Sequence, residues 1–314
     1  MKPDIVIDTD PGHDDAMALM LGIMSQKLEI KAITTVCGNS TIQNTTRNAQ
    51  WALDLLQCKK IPIYSGSAKP LKRPLIQAIV HGKSGLAGIT ARQKPILNGL
   101  AVKKIIELTQ RGNLTIIALG PLTNIAKAIL KNPRAMKKIK EIIIMGGAIR
   151  VPGNKNRVAE FNFFVDPEAA DIVLKFPVKK TIIPLDACND IQLKMSDFKK
   201  IQNKRIRNAL LKIIKPYIQN ICSDEGVRAA LMYDVLTVYY LLNPKKCTTK
   251  KYNIQIEKNG ILTRGMSVAE LRKTKKENPN TVVVEYIPKK DFVQKFIHTL
   301  SKRSYSKKPK YLNN

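Results

Sequence analysis

Residues 4–24 read DIVIDTDPGHDDAMALMLGIM: a strand-like apolar run, a polar turn around Pro11 and Gly12, and an apolar segment with helical spacing. The same alternation of strands and helices continues along the chain, with further strands predicted at 30–36, 114–119, 141–145 and 181–185. Strands that alternate with helices form parallel β-α-β units. The sequence therefore predicts an α/β fold, an open, mostly parallel, Rossmann-like sheet with helices on both faces. We expect the active site at the C-terminal ends of its strands.

The chain beyond about residue 190 has a different pattern. It is mainly helical, with weaker strand signals at 252–257 and 281–286 and a final helix around 289–300. We interpret this part as an elaboration of the same domain, because 314 residues suffice for one large core. The sequence thus predicts one domain over residues 1–300. Residues 301–314 are basic and polar and are expected to form a flexible tail, since they have too little apolar surface to offset the entropy of ordering.

The composition excludes several classes of protein. No stretch approaches the ~18 apolar residues that a membrane-spanning helix needs, and the first residues do not resemble a secretion signal, so we expect a cytoplasmic protein with no membrane role. The 5 cysteines are dispersed and never form C-x-x-C, which speaks against a disulfide framework and against structural zinc. With only 3 histidines, a site built on several imidazoles is nearly excluded, and carboxylates must carry the chemistry.

The formal net charge of +30 raises the question of a polyanionic partner. The basic residues occur as scattered pairs, such as Lys59 with Lys60 and Lys179 with Lys180, and no recognisable nucleic-acid module organises them. Aromatic residues, on which bases could stack, make up only 5% of the chain. We therefore expect a lysine-rich solvated surface and no nucleic-acid partner.

Four carboxylates, Asp8, Asp10, Asp14 and Asp15, lie within eight residues between the first strand and the first helix. Like charges this close repel, so either some of them are protonated or a cation lies among them. Capping of the helix by Asp14 and Asp15 is the simpler alternative. A hard divalent cation held by oxygen ligands explains all four acids around a Pro-Gly turn better.

The segment DTDPGHDDAMAL at residues 8–19 resembles the N-terminal signature of the inosine-uridine preferring nucleoside hydrolase family. Further blocks that resemble the family follow in order: VCGNS at 36–40, VHGKSGLAG at 80–88, LGPLTNIA at 119–126, IIIMGG at 142–147 and AEFNFFVDPEAA at 159–170. The resemblance covers roughly residues 4–245. It implies a calcium-dependent enzyme of nucleoside salvage that hydrolyses the N-glycosidic bond of ribonucleosides without a covalent intermediate, and that forms a homodimer or homotetramer.

The resemblance also implies roles for individual residues. Asp10, Asp15, the main-chain carbonyl of Leu119 and Asp234 would bind Ca²⁺, whose preferred ligands are such hard oxygens. Asp10 would also act as the base towards a calcium-bound water, and Asp14 would hold the ribose hydroxyls.

Five further positions match residues that surround ribose in the family: Asn39, Met145, Asn154, Glu160 and Asn162. Asn154 and Glu160 would lie towards the 5′-hydroxyl, and Asn162 towards the 2′ and 3′ oxygens. Taken alone, Asn154 beside a glycine is more typical of an ordinary turn. His81 lies in what resembles the mobile loop over the active site and is a candidate for contact with the base.

The chain departs from the family at Tyr233, in the segment Met232-Tyr233-Asp234-Val235. Purine-cleaving members typically have Met-His-Asp-Pro there, and the histidine protonates the leaving base. A phenol, with a reference pKa of ~10, is a less ready proton donor than an imidazole at ~6.5. Three roles are open for Tyr233: weak proton donation, stacking on the base, or packing. This departure keeps two alternatives open: hydrolysis of a modified nucleoside, and a noncatalytic nucleoside- or ribose-binding homologue.

Overall fold

The computed structural model describes residues 2–87, 89, 96–272, 274 and 277–302. Its strands, numbered in chain order, are β1 Asp4–Thr9, β2 Glu29–Thr35, β3 Ile63–Ser65, β4 Leu114–Ala118, β5 Glu141–Met145, β6 Lys180–Ile183, β7 Gln192–Leu193, β8 Ala230–Leu231, β9 Thr248–Tyr252, β10 Ile254–Ile256, β11 Ser267–Ala269 and β12 Thr281–Tyr286. Its α-helices are α1 His13–Ser25, α2 Ile42–Leu55, α3 Ala101–Gln110, α4 Thr123–Lys131, α5 Pro133–Met136, α6 Phe161–Val165, α7 Pro167–Lys175, α8 Leu185–Cys188, α9 Met195–Lys199, α10 Lys204–Glu225, α11 Tyr233–Leu242 and α12 Lys289–Leu300. Short 3₁₀ helices cover Ile79–His81 and Pro244–Lys246.

Within the described residues, eight strands form one open sheet in the order β3-β2-β1-β4-β5-β6-β12-β9. Neighbouring strands from β3 to β12 run parallel, and only the edge pair β12 and β9 is antiparallel. The other two sheets have two strands each. The predicted open, mostly parallel α/β sheet is confirmed.

Helices cover both faces of this sheet, and the apolar residues of its central strands pack on both sides. Ile5 and Ile7 of β1 pack on one side, into a core that also contains buried residues of α1, α10, α11 and α12. Val6, between them, points to the opposite side, into a core with residues of α3, α4 and α7. Side chains alternate between the faces of a strand, so a continuous apolar run indicates a strand that is covered on both faces.

Two predicted strand boundaries are wrong. The segment 252–257 is not one strand: β9 ends at Tyr252 and pairs with β12, whereas β10 begins at Ile254 and pairs with β11 in a separate small sheet. The strand predicted at 181–185 ends at Ile183. Pro184 has no N–H to continue the ladder, and α8 begins directly after it.

The parallel topology places the polar motifs at one edge of the sheet. Asp10 follows β1, Asn39 lies in the loop after β2, Leu119 follows β4, and Met145 ends β5. Helix α11 packs against α1 and β5, so its first turn, with Asp234, reaches the same edge. The expectation that functional residues gather at the carboxyl ends of the strands therefore has a structural basis.

Other expectations concern the periphery of the molecule. No helix in the described part of the chain is both long and apolar enough to cross a membrane. Lys180, expected on the surface, is buried instead, and its ammonium group donates hydrogen bonds to the carbonyls of Phe176 and Val178. The single domain over residues 1–300 stays a prediction. So does the basic tail over 301–314, most of which, residues 303–314, lies outside the described residues.

Candidate active site

The turn between β1 and α1 is organised around the carboxylate of Asp15. Its Oδ1 accepts hydrogen bonds from Thr9 Oγ1 at 2.6 Å and from the Asp10 amide at 3.3 Å. Its Oδ2 accepts from the amide of Gly12, the residue that caps α1, at 3.0 Å and from Asn39 Nδ2 at 2.9 Å. Asp15 thus performs the helix-capping role that the sequence left open, while it also offers an oxygen to the acidic cluster.

The carboxylate of Asp10 is buried between two glycine-bearing loops. Its Oδ2 accepts a hydrogen bond from the Asn39 amide at 2.6 Å, and its Oδ1 is buried without a hydrogen-bond partner among the residues that the structure describes. A Cβ atom at Gly38 would lie 2.1 Å from Oδ2, and one at Gly120 would lie 2.3 Å from Oδ1. These glycines are therefore required so that the loops after β2 and β4 can close on the carboxylate.

Asp234 is 220 positions from Asp14 in the sequence but lies beside it in the fold. The Asp234 amide nitrogen is 3.5 Å from Asp14 Oδ2. Asp14, Asp15 and Asp234 each contribute a carboxylate oxygen to a group in which the oxygens lie within 4.8 Å of one another. All three residues are buried, and Asp234 Oδ1 has no hydrogen-bond partner in the described part of the chain. Three buried carboxylates at this spacing can hold a metal ion. The group includes Asp14, which the sequence assigned to ribose, and does not include Asp10.

The crowding of these acids changes their proton affinity. Burial, followed by the charge of Asp15, raises the pKa of Asp10 and of Asp234 well above the usual value, and the same causes raise the pKa of Asp14 to about 7. Burial also raises the pKa of Asp8 to about 6, although Asn124 and Thr34 donate hydrogen bonds to it. Without a compensating cation, the folded protein therefore retains protons that an unfolded chain would release.

One cavity of ≈ 170 Å³ opens onto this cluster. Most of the residues singled out from the sequence line it: Asp14, Asn39, His81, Leu119, Met145, Asn154, Glu160, Asn162, Tyr233 and Asp234. The two exceptions, Asp10 and Asp15, are absent from its wall. These residues come from the exits of several strands and from α11, so the fold alone brings them together.

The segment before and within α6 forms one wall of the cavity. Glu160 caps α6, and its carboxylate accepts hydrogen bonds from the amides of Asn162 and Phe163 and from that of Gly147 at 3.1 Å. Burial raises the pKa of Glu160 to about 7. Asn162 Nδ2 donates to the Leu119 carbonyl at 2.8 Å, which links this wall to the exit of β4. Asn154 Oδ1 accepts from the Phe161 amide at 2.9 Å, so Asn154 also has the local structural role that its sequence context suggested.

Three aromatic rings stack beside the cavity, and two of them, His81 and Tyr217, line it. The Tyr217 ring of α10 is nearly parallel to the rings of His13 and His81, with centroid distances of 4.5 and 5.3 Å. His81 is buried at the end of the 3₁₀ helix Ile79–His81, and Asn220 of α10 donates to the Val80 carbonyl at 3.0 Å. The loop predicted to be mobile continues through residues 88 and 90–95, which lie outside the described residues.

The hydrogen bonds of His81 determine where its proton lies. His81 Nδ1 accepts from the His13 amide at 3.2 Å, and it lies 3.0 Å from His13 Nδ1, which must then be the donor. Burial lowers the pKa of His81 to about 3, so the ring is neutral and carries its proton on Nε2. That atom is 4.0 Å from Asp14 Oδ1. His81 therefore offers an N–H donor on the side of the cavity where Asp14 lies.

Sequence reasoning missed His13 and Tyr217. Two of the three histidines of the chain stack side by side here, an arrangement that the sequence did not predict. His13 could have been found, because it lies inside the acidic motif. Tyr217 had no such signal, because it lies in the middle of a long amphipathic helix whose apolar residues all resemble core.

Tyr233 begins α11 and lines the cavity. Its ring is half-buried, and its hydroxyl donates to Asn189 Oδ1 at 3.3 Å. The hydroxyl is thus engaged with a side chain outside the acidic cluster. This geometry favours contact with a ligand through the ring face or edge, one of the roles that the sequence left open.

Comparisons with known proteins identify the same family that the sequence motifs resemble. The model of the inosine-uridine preferring nucleoside hydrolase family matches residues 5–294. A protein of Salmonella agona (strain SL483) described as the pyrimidine-specific ribonucleoside hydrolase RihA is 36% identical over 303 residues, 93% of this chain and 96% of that protein. The match that the motifs predicted for residues 4–245 therefore extends further along the chain.

Solved structures of two nucleoside hydrolases superpose on this chain over nearly its whole length. The plant nucleoside hydrolase PpNRh1 superposes with a TM-score of 0.89 at 28% identity, covering 96% of this chain and 99% of that one. The purine-preferring ribonucleoside hydrolase from Gardnerella vaginalis superposes with a TM-score of 0.87 at 26% identity, covering 95% and 98%.

Proposed function

The chain belongs to the inosine-uridine preferring nucleoside hydrolase family, and on this basis we propose that it hydrolyses pyrimidine ribonucleosides at a calcium site. As a ribonucleoside hydrolase it cleaves the N-glycosyl bond and releases ribose and the free base. The observation that carries the proposal is the meeting of carboxylates from the first loop and from α11 beside one cavity. The pyrimidine preference rests on the relative at 36% identity, which is described as pyrimidine-specific.

We assign the calcium site to Asp10, Asp15, Asp234 and the Leu119 carbonyl. The donors are all hard oxygens, which Ca²⁺ prefers, and two of them, Asp10 Oδ1 and Asp234 Oδ1, are buried without a hydrogen-bond partner among the described residues. When bound, such a cation makes a water molecule more acidic and so supplies a nucleophile near neutral pH. Asp10 would accept a proton from the attacking water.

The remaining side chains hold the sugar. Asp14 binds the ribose hydroxyls, which are donors that suit a carboxylate acceptor. The other ribose contacts are assigned to Asn39, Met145, Asn154, Glu160 and Asn162. Negative groups around C1′ also stabilise the positive charge that develops there as the base departs. The acidic character of the cavity therefore favours the transition state over the neutral substrate.

The base is assigned to the side of the cavity formed by His81 and Tyr233. His81 offers a neutral N–H donor to a carbonyl oxygen of a pyrimidine, and the Tyr233 ring offers a surface for stacking. The Tyr233 hydroxyl is a poor acid near neutral pH. The leaving base therefore departs with little proton donation from this residue, which favours bases that are good leaving groups.

We also propose that the enzyme acts in nucleoside salvage in the cytoplasm as a homodimer or homotetramer. The cysteines Cys37, Cys58, Cys188, Cys222 and Cys247 are free, as expected in a reducing compartment. The assembly is inferred from likeness to the family alone.

The direct test measures ribose release from a panel of ribonucleosides with added Ca²⁺. We expect turnover of uridine and cytidine, with inosine and guanosine slower, since the proton donor that purine-cleaving members use is absent here. Folded, calcium-loaded protein that turns over no nucleoside contradicts the proposal. Thermal stabilisation by ribose without product would instead support a noncatalytic binding protein, and slow turnover of uridine and inosine alike would favour a modified nucleoside.

Stability should depend on pH in a way that calcium reverses. In chelated protein, the proposed ligands Asp10 and Asp234, whose pKa values burial raises well above the usual value, keep protons that the unfolded chain releases above about pH 4. A raised pKa in the folded state means that the contribution of these groups to stability is present at low pH and is lost as pH rises. We expect the increase in Tm caused by Ca²⁺ to grow as pH rises above about 4, because the cation replaces these protons.

Thermal melts in Ca²⁺ and in a chelator at each pH check this expectation. At a calcium concentration of 100 times Kd, the stabilisation is ~2.7 kcal/mol, which raises the Tm of a chain of this size by about 4 °C. A calcium effect that is constant or shrinks as pH rises would show that protons and cation do not compete for the same carboxylates.

A further inference from the structure

A second cavity, with a volume of ≈ 590 Å³, adjoins the cavity that holds the candidate active site. Asn154, Lys155, Asp224, Leu231 and Tyr233 line both. Tyr233 stands between them, with its hydroxyl directed to Asn189, which lines only the second cavity. A base that stacks on the Tyr233 ring therefore lies beside the second cavity, and a substituent on that base can extend into it.

The wall of the second cavity carries two positive charges. Lys155 and Arg157 both line it, and in the described part of the chain neither forms an ion pair with a carboxylate. Their loop is held in place, because the Lys155 amide donates to the Ala159 carbonyl at 3.1 Å and the Gly153 amide donates to the Arg157 carbonyl at 3.2 Å. These bonds hold the backbone from which the Lys155 and Arg157 side chains extend.

The remaining polar groups suit an anion as well. The amide side chains of Asn189 and Gln192 line the same wall, and each can donate a hydrogen bond. Asp224 is the one carboxylate among the described lining residues, and it is exposed. The second cavity therefore carries more positive than negative charge. Binding of a neutral nucleoside in the adjoining acidic site requires neither Lys155 nor Arg157.

We propose that this second cavity binds an anionic group carried by the substrate, and that the enzyme prefers pyrimidine ribonucleosides with a carboxylate on the ring. The inference rests on the proposed hydrolysis of ribonucleosides and specifies their class. Lys155 and Arg157 bind the carboxylate by charge-assisted hydrogen bonds, while the sugar occupies the first cavity.

The chemistry of the leaving group fits this class. The C1′–N bond breaks with its electron pair on the base nitrogen, the water oxygen bonds to C1′, and the proton from water reaches the departed base through solvent. A carboxylic substituent withdraws electrons and makes the base a better leaving group. Such a base needs no strong acid at the position of Tyr233, where purine-cleaving relatives have a histidine.

A 5′-phosphate is a second source of the same negative charge. Asn154, assigned to the 5′-hydroxyl, lines both cavities, so a phosphate on that oxygen could also approach Lys155. Glu160, assigned to the same hydroxyl, is an acid and would repel it. The ring carboxylate is therefore favoured, and the experiment separates the two.

The test compares kcat/KM for uridine, orotidine, 5-carboxyuridine and uridine 5′-monophosphate. We expect at least one carboxylated nucleoside to exceed uridine by about tenfold or more. In the double variant Lys155→Met, Arg157→Met this ratio falls about tenfold or more, and Asp224→Asn raises it. The single variant Arg157→Met, at a residue that lines only the second cavity, lowers the ratio while kcat/KM for uridine is unchanged. The matched control is Lys250→Met, Lys251→Met, which removes two exposed charges from the edge strand β9, away from the cavity.

Each outcome decides a different point. Hydrolysis of uridine with no gain for any anionic substrate, or a gain that the double variant retains, overturns the anion site and leaves the proposed function intact. A preference for the 5′-monophosphate that the double variant abolishes supports the anion site and assigns it to the phosphate. If no nucleoside is hydrolysed, the proposed function fails, and calorimetric binding of orotidine and 5-carboxyuridine to wild type and double variant then tests the site alone.

Discussion

Replacement of Asp234 by Asn is expected to lower kcat/KM for ribonucleoside hydrolysis by about a thousandfold, because a bound cation contributes several kcal/mol to catalysis and each 1.36 kcal/mol is a factor of ten. Asp234 is the one carboxylate of the cluster that comes from the second half of the chain. The amide keeps the shape of the side chain but removes the negative charge. Treatment of the wild type with a chelator should have a comparable effect, and added Ca²⁺ should restore activity to the wild type only.

Measurements of kcat/KM and of the calcium-induced change in Tm on the same samples check this prediction. Asp190→Asn is the matched control, since Asp190 is exposed and lies outside the cavity. The Asp234→Asn protein should fold, because the substitution removes a buried acid whose pKa burial raises well above its usual value. Near-normal activity of Asp234→Asn, or an indifference of the wild type to chelation, would remove the basis for the calcium site.

Replacement of Asp14 by Asn should lower kcat/KM by roughly a hundredfold, the usual scale for the loss of one group that stabilises a transition-state charge. The residue lines the cavity, whereas Asp10 and Asp15 do not. If Asp14 binds ribose, the variant loses a charged acceptor for the hydroxyls but keeps the cation ligands. We therefore expect the Asp14→Asn protein to retain the calcium-induced rise in Tm that Asp234→Asn loses.

The comparison of these two variants resolves the ambiguity in the acidic cluster, where Asp14 lies as close to Asp234 as a metal ligand would. Inhibition by free ribose provides a second readout, and it should weaken in Asp14→Asn. Should this variant lose both activity and the calcium effect on Tm, Asp14 must be counted among the ligands of the cation, and its assignment to ribose is wrong.

The sequence predicted the sheet, and the edge of it at which polar loops meet, for a common reason. Buried parallel strands require continuous apolar runs, and the polar residues that follow each run must then meet at one edge. Asp10, Asn39 and Leu119 could be located at this edge in this way, although the roles of Asn39 and Leu119 came from the resemblance to the family. Asp234 could not, since nothing in its local sequence shows that α11 packs beside α1; its assignment depended on the resemblance to the family.

Features that depend on tertiary packing were not predicted. The break between β9 and β10 occurs at Asn253, where the pairing partner changes from β12 to β11, and local strand propensity does not report such a change of partner. The stack of Tyr217 on two histidines could not be predicted either. An aromatic residue on the apolar face of a helix gives the same sequence pattern whether it packs in the core or lines a ligand cavity. Asn154 and Glu160 could be recognised only jointly, because each also has an ordinary backbone hydrogen-bonding role.

The long sequence separation between the first loop and Asp234 has a consequence for biosynthesis. A ribosome makes the acidic loop first, and the last carboxylate emerges only after more than 200 further residues, as the separation of 220 positions requires. Until then the nascent N-terminal part carries crowded acids that no ion can neutralise with a full set of ligands. The proposed cation site can therefore be completed only after α11 has docked against α1.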